Sequence, residues 1–176
     1  SFFSQAHSVS SDGSLIVGDS SGSSSIITGW LWTDAAGMIA LPNLSGNVGE
    51  SRAFEVSADG TVIVGYGSDG SGSQAVRWIS DGLGGYVAQS LGDLPGGSTS
   101  RAFSVSHDGS VIVGEASGTT FGTTRVAFRW TQTSGLTMLG GVPVGFVAEV
   151  AHAVSADGTV VVGDGTSVLG REAFRW

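Results

Sequence analysis

The sequence predicts an all-β chain made of four copies of one small antiparallel sheet, and three observations carry that prediction. A ten-residue stretch, VSADGTVIVG at 56–65, has near-copies at 9–18, 105–114 and 154–163. Each copy places a Ser-x-Asp-Gly turn between an alternating segment and an apolar one, the pattern of a tight hairpin. The composition agrees: 30 of 176 residues are Gly, 40% are apolar and only 12% are charged. Gly supplies left-handed turn positions and β-branched residues suit a pleated strand, so short strands are favoured over long helices.

Anchored on the turn aspartates Asp12, Asp59, Asp108 and Asp157, the copies are spaced by 47, 49 and 49 residues. Self-similarity at such a period marks a repeat architecture. The chain is read as a single repeat domain, 1–176, with units at about 1–51, 52–100, 101–150 and 151–176.

The first segment of each unit is a short alternating stretch: AHSVS, AFEVS, AFSVS or AHAVS. The turn follows at Asp12–Gly13, Asp59–Gly60, Asp108–Gly109 and Asp157–Gly158. There the Ser bonds back to the backbone, and Gly takes the left-handed position that closes a type I turn with a bulge. An apolar run comes next, ending in Gly18, Gly65, Gly114 or Gly163, where a close backbone approach or a sharp exit requires a residue without Cβ. After a Gly/Ser-rich loop, the third segment ends in Trp32, Trp78, Trp130 or Trp176, lying 20, 19, 22 and 19 residues after the turn Asp. A large ring at one place in every unit reads as a packing wedge between neighbouring units. A carbohydrate-stacking platform is the sharper alternative. The fourth segment is GMIALPNL, GYVAQSLGDLPGG or GLTMLGGVPVG, and none follows the last copy.

Each unit is therefore a four-stranded antiparallel meander whose second strand is apolar on both faces. Packing such sheets face to face around an axis buries both faces, which is the β-propeller solution. A β-solenoid competes, but its coils are shorter and need no hairpin in every unit. The expected fold is a β-propeller-type array of four-stranded blades, with the last blade incomplete.

The order apolar–SxDG–apolar–loop–aromatic–loop–LG resembles the blade repeat of TolB-like propellers. RAF at 52–54 and 101–103, VAF and EAF before RW, the VSxDGxxIVG core and LGDLPGG look more closely like the HAF family of probable extracellular repeats. That resemblance covers essentially the whole chain. It implies a bacterial secreted or cell-surface location and no defined catalysis. The first copy departs from the pattern, with WLW in place of RW and ALPNLSG in place of LGDLPGG.

Charge narrows the partners. Fifteen Asp and Glu face seven Arg and no Lys, for a net charge of −8. Such a surface repels phosphate backbones, which excludes nucleic acid, and serves solubility. Cysteine is absent, so neither disulfides nor Cys-ligated metals arise. The charge-free run 131–148 holds four Gly and one Pro and is no membrane span. The chain opens at SFFSQ without a signal peptide, which reads as a mature or excised piece. Ser1–Gln5 is too short to complete the last blade. The open edge then implies a longer parent chain, a homo-oligomer, or a cap by Phe2 and Phe3.

Repeated polar residues read first as structure. The turn aspartates are turn formers; a Ca²⁺ loop would need several acidic ligands, and each SADGT-type turn has one. Arg77, Arg129 and Arg175 precede three of the Trp residues and suggest a ladder to a neighbouring blade, to its turn Asp. Asp19, Tyr66, Glu115 and Asp164 follow the Gly that closes the apolar run. If those ends meet, they form a solvated or cation-holding ring at one mouth. His7 and His152 share a position with Phe54 and Phe103, so they read as packed and satisfied, and His107 as an exposed turn residue. No HExxH or phosphate-cradling loop occurs, and no catalytic residue or cofactor is expected. The expectation is a non-enzymatic, extracellular or surface-displayed structural or adhesive protein that self-assembles through its incomplete blade. The alternative is a propeller that binds or cleaves glycans. An adhesive role would use the variable stretches 18–29 and 114–125.

Overall fold

The structure, a computed structural model, describes residues 3–22, 25–44, 49–68, 72–118, 125–141 and 144–176. Four antiparallel sheets follow one another along the chain. The first holds β1 (Phe3–Val9), β2 (Leu15–Ser21), β3 (Ile27–Thr33) and β4 (Gly37–Ala40). The second holds β5 (Ser51–Val56), β6 (Val62–Ser68), β7 (Ser73–Ser80) and β8 (Tyr86–Ser90). The third holds β9 (Ser100–Val105), β10 (Val111–Ala116), β11 (Val126–Thr131) and β12 (Gly135–Met138). The fourth has three strands: β13 (Val147–Val154), β14 (Val161–Ser167) and β15 (Gly170–Arg175). Strands pair in sequence order, and the first strand of each sheet adjoins the first strand of the next.

The first strands begin earlier than the sequence suggested. Phe3 belongs to β1 and pairs with Ser21, so it extends the innermost strand rather than capping an edge. Phe2 lies outside the described residues, as do 23–24 and 119–124 of the two variable stretches. Their described parts are largely the ends of strands β2, β3 and β10.

The turns are built by side-chain and backbone bonds that repeat. Gly13, Gly60, Gly109 and Gly158 have φ of 75°, 73°, 72° and 71°. In the first turn Ser10 Oγ donates to Asp12 Oδ1 at 2.7 Å and accepts the Leu15 N–H at 3.0 Å, while the Gly13 N–H donates to the Ser10 carbonyl. Ser57, Ser106 and Ser155 repeat the arrangement.

The glycines after the apolar run sit differently from expectation. Gly18, Gly65, Gly114 and Gly163 do not end their strands; β2, β6, β10 and β14 continue for two to four residues beyond them. Their reason is a β-bulge in the partner strand. The register skips His7, Phe54, Phe103 and His152, one residue in each first strand. The displaced carbonyl of Gln5, Arg52, Arg101 or Val150 then lies where the glycine's Cβ would be, at 1.9 Å. An aromatic ring stacks over the bare glycine in three sheets: Trp30, Phe128 and Phe174 stand directly across from Gly18, Gly114 and Gly163. A second bulge, at Glu149 in β13, meets Gly165 in the same way.

Between sheets, three apolar clusters form the core. Val17, Leu31 and Leu41 of the first sheet pack on Ile63, Val76 and Trp78 of the second. Val64, Leu91 and Leu94 pack on Ile112, Phe128 and Trp130 of the third. Val113, Ala127 and Leu139 pack on Ala151 and Val161 of the fourth. Trp78, Trp130 and Trp176 thus reach back to the preceding sheet: Trp130 packs on its residues, Trp78 Nε1 donates to the Pro42 carbonyl at 2.7 Å, and Trp176 Nε1 to that of Gly140 at 2.9 Å. Trp78 and Trp130 are buried, Trp32 is half-buried, and Trp176 is 38% exposed.

The arginines reach the other way. Arg77 stacks over the Trp130 ring at 4.3 Å and Arg129 over Trp176 at 5.9 Å. Arg77 also bonds Gln89 and Gln132. The expected pairing with a turn Asp does not form, because each turn Asp is already saturated by its own Ser and by the residue after Gly. Two further ladders cross every border. The Ser11 N–H donates to the Ala58 carbonyl, Ala58 N–H to His107, and His107 N–H to Ala156. Side-chain oxygens of Ser8, Glu55 and Ser104 accept the N–H of Val56, Val105 and Val154.

Candidate functional site at the inner strands

The bulges place their rings along the border between first strands, because an extra residue re-aims its side chain out of the ladder. His7 and Phe54 have ring centroids 5.8 Å apart, Phe54 and Phe103 5.6 Å. Tyr66 joins the row at 5.9 Å from Phe54.

Asp19, Tyr66, Glu115 and Asp164 lie beside this row, and they do not form an open acidic ring. Because their strands run on past the glycine, Asp19, Tyr66 and Asp164 sit inside their strands and Glu115 one residue before the end of β10. Asp19 is fully buried, and a buried carboxylate needs partners. His7 Nε2 is 2.5 Å from Asp19 Oδ1, and Arg52 Nη1 is 3.7 Å from Oδ2. Glu115 is held by Arg101 at 3.4 Å and Arg125 at 3.1 Å. Asp164 is held by His152 and by Arg171, with Nη2 at 2.6 Å. Burial works to raise the Asp164 carboxyl, but the hydrogen bonds from His152 and Arg171 outweigh it and hold it below the ordinary value. Tyr66 donates to Glu50 at 2.6 Å, and burial together with that carboxylate pushes its hydroxyl up to about 12. Among the described residues no three His, Asp or Glu side chains gather as a metal ion would require.

Four residues that the sequence reading passed over complete the site: Arg52, Arg101, Arg125 and Arg171. Arg101 stands directly across from Glu115, and its guanidinium lies 5.2 Å from the Tyr66 ring of the preceding sheet. Counting back from the turn would have placed Ala102 opposite Glu115; the bulge at Phe103 shifts the register by one and hides the pair. Arg52, Phe54, Tyr66, Arg101 and Phe103 line a cavity of about 260 Å³. A smaller cleft of about 170 Å³ adjoins at Arg101, lined also by Glu115 and Arg125.

With this geometry in hand, comparison with known proteins concerns the fold. TolB from Acinetobacter baumannii superposes with a TM-score of 0.58 at 17% identity, covering 96% of this chain and 42% of that one. The fold is TolB-like. A putative TolB from Agrobacterium tumefaciens gives 0.58 at 16% identity, covering 98% of this chain and 58% of that one. The chain thus spans about two-fifths of one TolB-like neighbour and under three-fifths of the other. No family model and no curated protein matches the chain, so the likeness to HAF repeats rests on the sequence motifs alone.

Proposed function

We propose that this chain is a structural or adhesive module of the HAF type, displayed outside the cell, whose blade array assembles by taking a strand onto the edge of its fourth sheet. One observation carries the reading. In the first three sheets, the residue after the fourth strand is a buried Leu whose N–H bonds to the third strand: Leu41 to Gly29, Leu91 to Ala75, Leu139 to Ala127. Ala173 holds the matching place in β15, which no described strand borders. Beside it lies an apolar hollow of about 500 Å³ lined by Val144, Phe146, Val168, Leu169, Ala173 and Phe174. An unpaired edge with a ready side-chain socket is the setting for strand addition.

Light scattering across a concentration series is the test, with and without a peptide copying 134–141 (SGLTMLGG), the third sheet's own edge strand. Association that the peptide suppresses supports the proposal. Arg175→Pro removes the outward N–H at the place where Arg129 pairs with Thr137 of the third sheet's edge strand, without touching the hydrogen bonds to β14, and abolishes both association and peptide binding. A chain that stays monomeric and ignores the peptide overturns the reading.

A further inference from the structure

We infer that the cavity between β5 and β9 binds a carboxylate-bearing sugar, such as a uronic acid unit of a polysaccharide. This goes beyond assembly and does not depend on the edge of β15, since the cavity lies wholly within the second and third sheets. The first support is where the internal repeat breaks. Arg52 and Arg101 occupy a position that Gln5 and Val150 fill in the other two sheets, and Phe54 and Phe103 one that His7 and His152 fill. Tyr66 stands where the other sheets have a carboxylate. The first and fourth sheets fold without these residues, so folding alone does not call for them.

The second support is the distribution of positive charge. Of seven arginines, Arg77, Arg129 and Arg175 occupy the repeated position before Trp. All four others, Arg52, Arg101, Arg125 and Arg171, pair with the second-strand carboxylates Asp19, Glu115 and Asp164. In a chain of net charge −8, two of these four, Arg52 and Arg101, line the same cavity.

The third is what the cavity walls can do. The closest carboxylate contact of Arg52 is 3.3 Å and that of Arg101 is 3.4 Å. Such long contacts leave donors of each planar fork for a ligand carboxylate. The two side chains are 30% and 47% exposed, so they are reachable. Phe54 and Phe103, half-buried and tilted by 44°, offer a splayed aromatic wall to the apolar face of a pyranose. A bare phosphate would use the arginines and leave that wall idle. A neutral sugar would use the wall and leave the arginines idle. About 260 Å³ is below the range of drug-sized pockets, roughly 300–1,000 Å³, and suits one sugar unit with its neighbours in solvent.

Isothermal titration of the chain with oligogalacturonate, with its carboxyl-reduced neutral counterpart and with inorganic phosphate tests this. Binding of the acidic oligosaccharide, weakened about tenfold or more for the neutral one and for Arg101→Val, is the expected result. Arg52→Gln and Phe103→His carry residues that the other sheets already tolerate, so each keeps the fold, checked by melting, and weakens binding likewise. Equal affinity for acidic and neutral sugars, phosphate binding as tightly as the oligosaccharide, insensitivity to all three substitutions, or no binding would each overturn the proposal.

Discussion

Gly114 and the carbonyl of Arg101 form a lock in which neither part works alone. The bulge at Phe103 pushes the carbonyl into the space above the glycine, and only a residue without Cβ lets it stay there. Because the obstacle is backbone, the neighbour cannot move aside. Gly114→Ala is expected to destabilise the chain by about 3 kcal/mol or more in urea unfolding. Gly118→Ala, whose nearest neighbour is a Val126 methyl at 3.4 Å, serves as the mild control. Glu55 shows the opposite kind of constraint. Burial raises its carboxyl above the ordinary 4.5, against the hydrogen bonds from Ser104 and the Val105 N–H. The folded state therefore holds this proton more tightly than the unfolded chain does. Its contribution is full below 4.5 and is lost as pH rises through the elevated value. In Glu55→Gln the side-chain carbonyl still accepts from Val105 with no charge to bury. The variant should melt higher than the parent at pH 7, with the gap closing below pH 4.5; an unchanged gap across that window would refute the assignment.

Among the elements, the third strands β7 and β11 are directional: their Trp faces back and their Arg faces forward. That alternation was readable in RW, since adjacent strand residues point to opposite faces. The arginine's partner was not readable from the sequence, because it depends on how far neighbouring sheets overlap. The direction makes the three arginines unequal. Truncating Arg77 or Arg129 to Ala should cost about 1 kcal/mol through the lost cation–π stack, whereas Arg175→Ala should cost close to nothing, having no following Trp among the described residues. Thermal melts of the three single variants decide it, and equal losses would sink the account. The turns and second strands were legible because Ser-x-Asp-Gly and VIV-type runs carry their conformation locally. The site was half legible. Asp19, Tyr66, Glu115 and Asp164 stood out by position, but a one-residue bulge moved every pairing beyond it and concealed Arg101 as the partner of Glu115, while Arg52 meets Asp19 only across a border between sheets.

At the scale of the molecule, the main contacts of each sheet among the described residues are with its sequence neighbours, so stability is close to a sum of sheets and borders. The middle sheets have a neighbour on both faces: β6 and β10 are buried almost throughout, while β14 alternates with exposed positions. Hydrogen exchange should therefore rank β6 and β10 as the most protected strands and β14 and β15 among the least. Uniform protection across all four sheets would mean that the ends are covered in solution. The repeat period made the number of sheets legible, and the TolB-like arrangement agrees with the face-to-face packing that two-faced apolar strands demand.

The Ser-x-Asp-Gly turn has a chemical consequence for the lifetime of the chain. Asp-Gly is the dipeptide most prone to isomerise through a cyclic imide, formed when the glycine nitrogen attacks a protonated aspartyl side chain. Here the nitrogens of Gly13, Gly60, Gly109 and Gly158 all donate to the serine three residues earlier. Hydrogen bonds led by Ser10 and Ser106 hold Asp12 and Asp108 at about 2, far from protonation at neutral pH. The fold thus shields four fragile bonds from ageing. Peptide mapping after prolonged warm incubation should find isoaspartate at these turns in the unfolded chain and little in the native one.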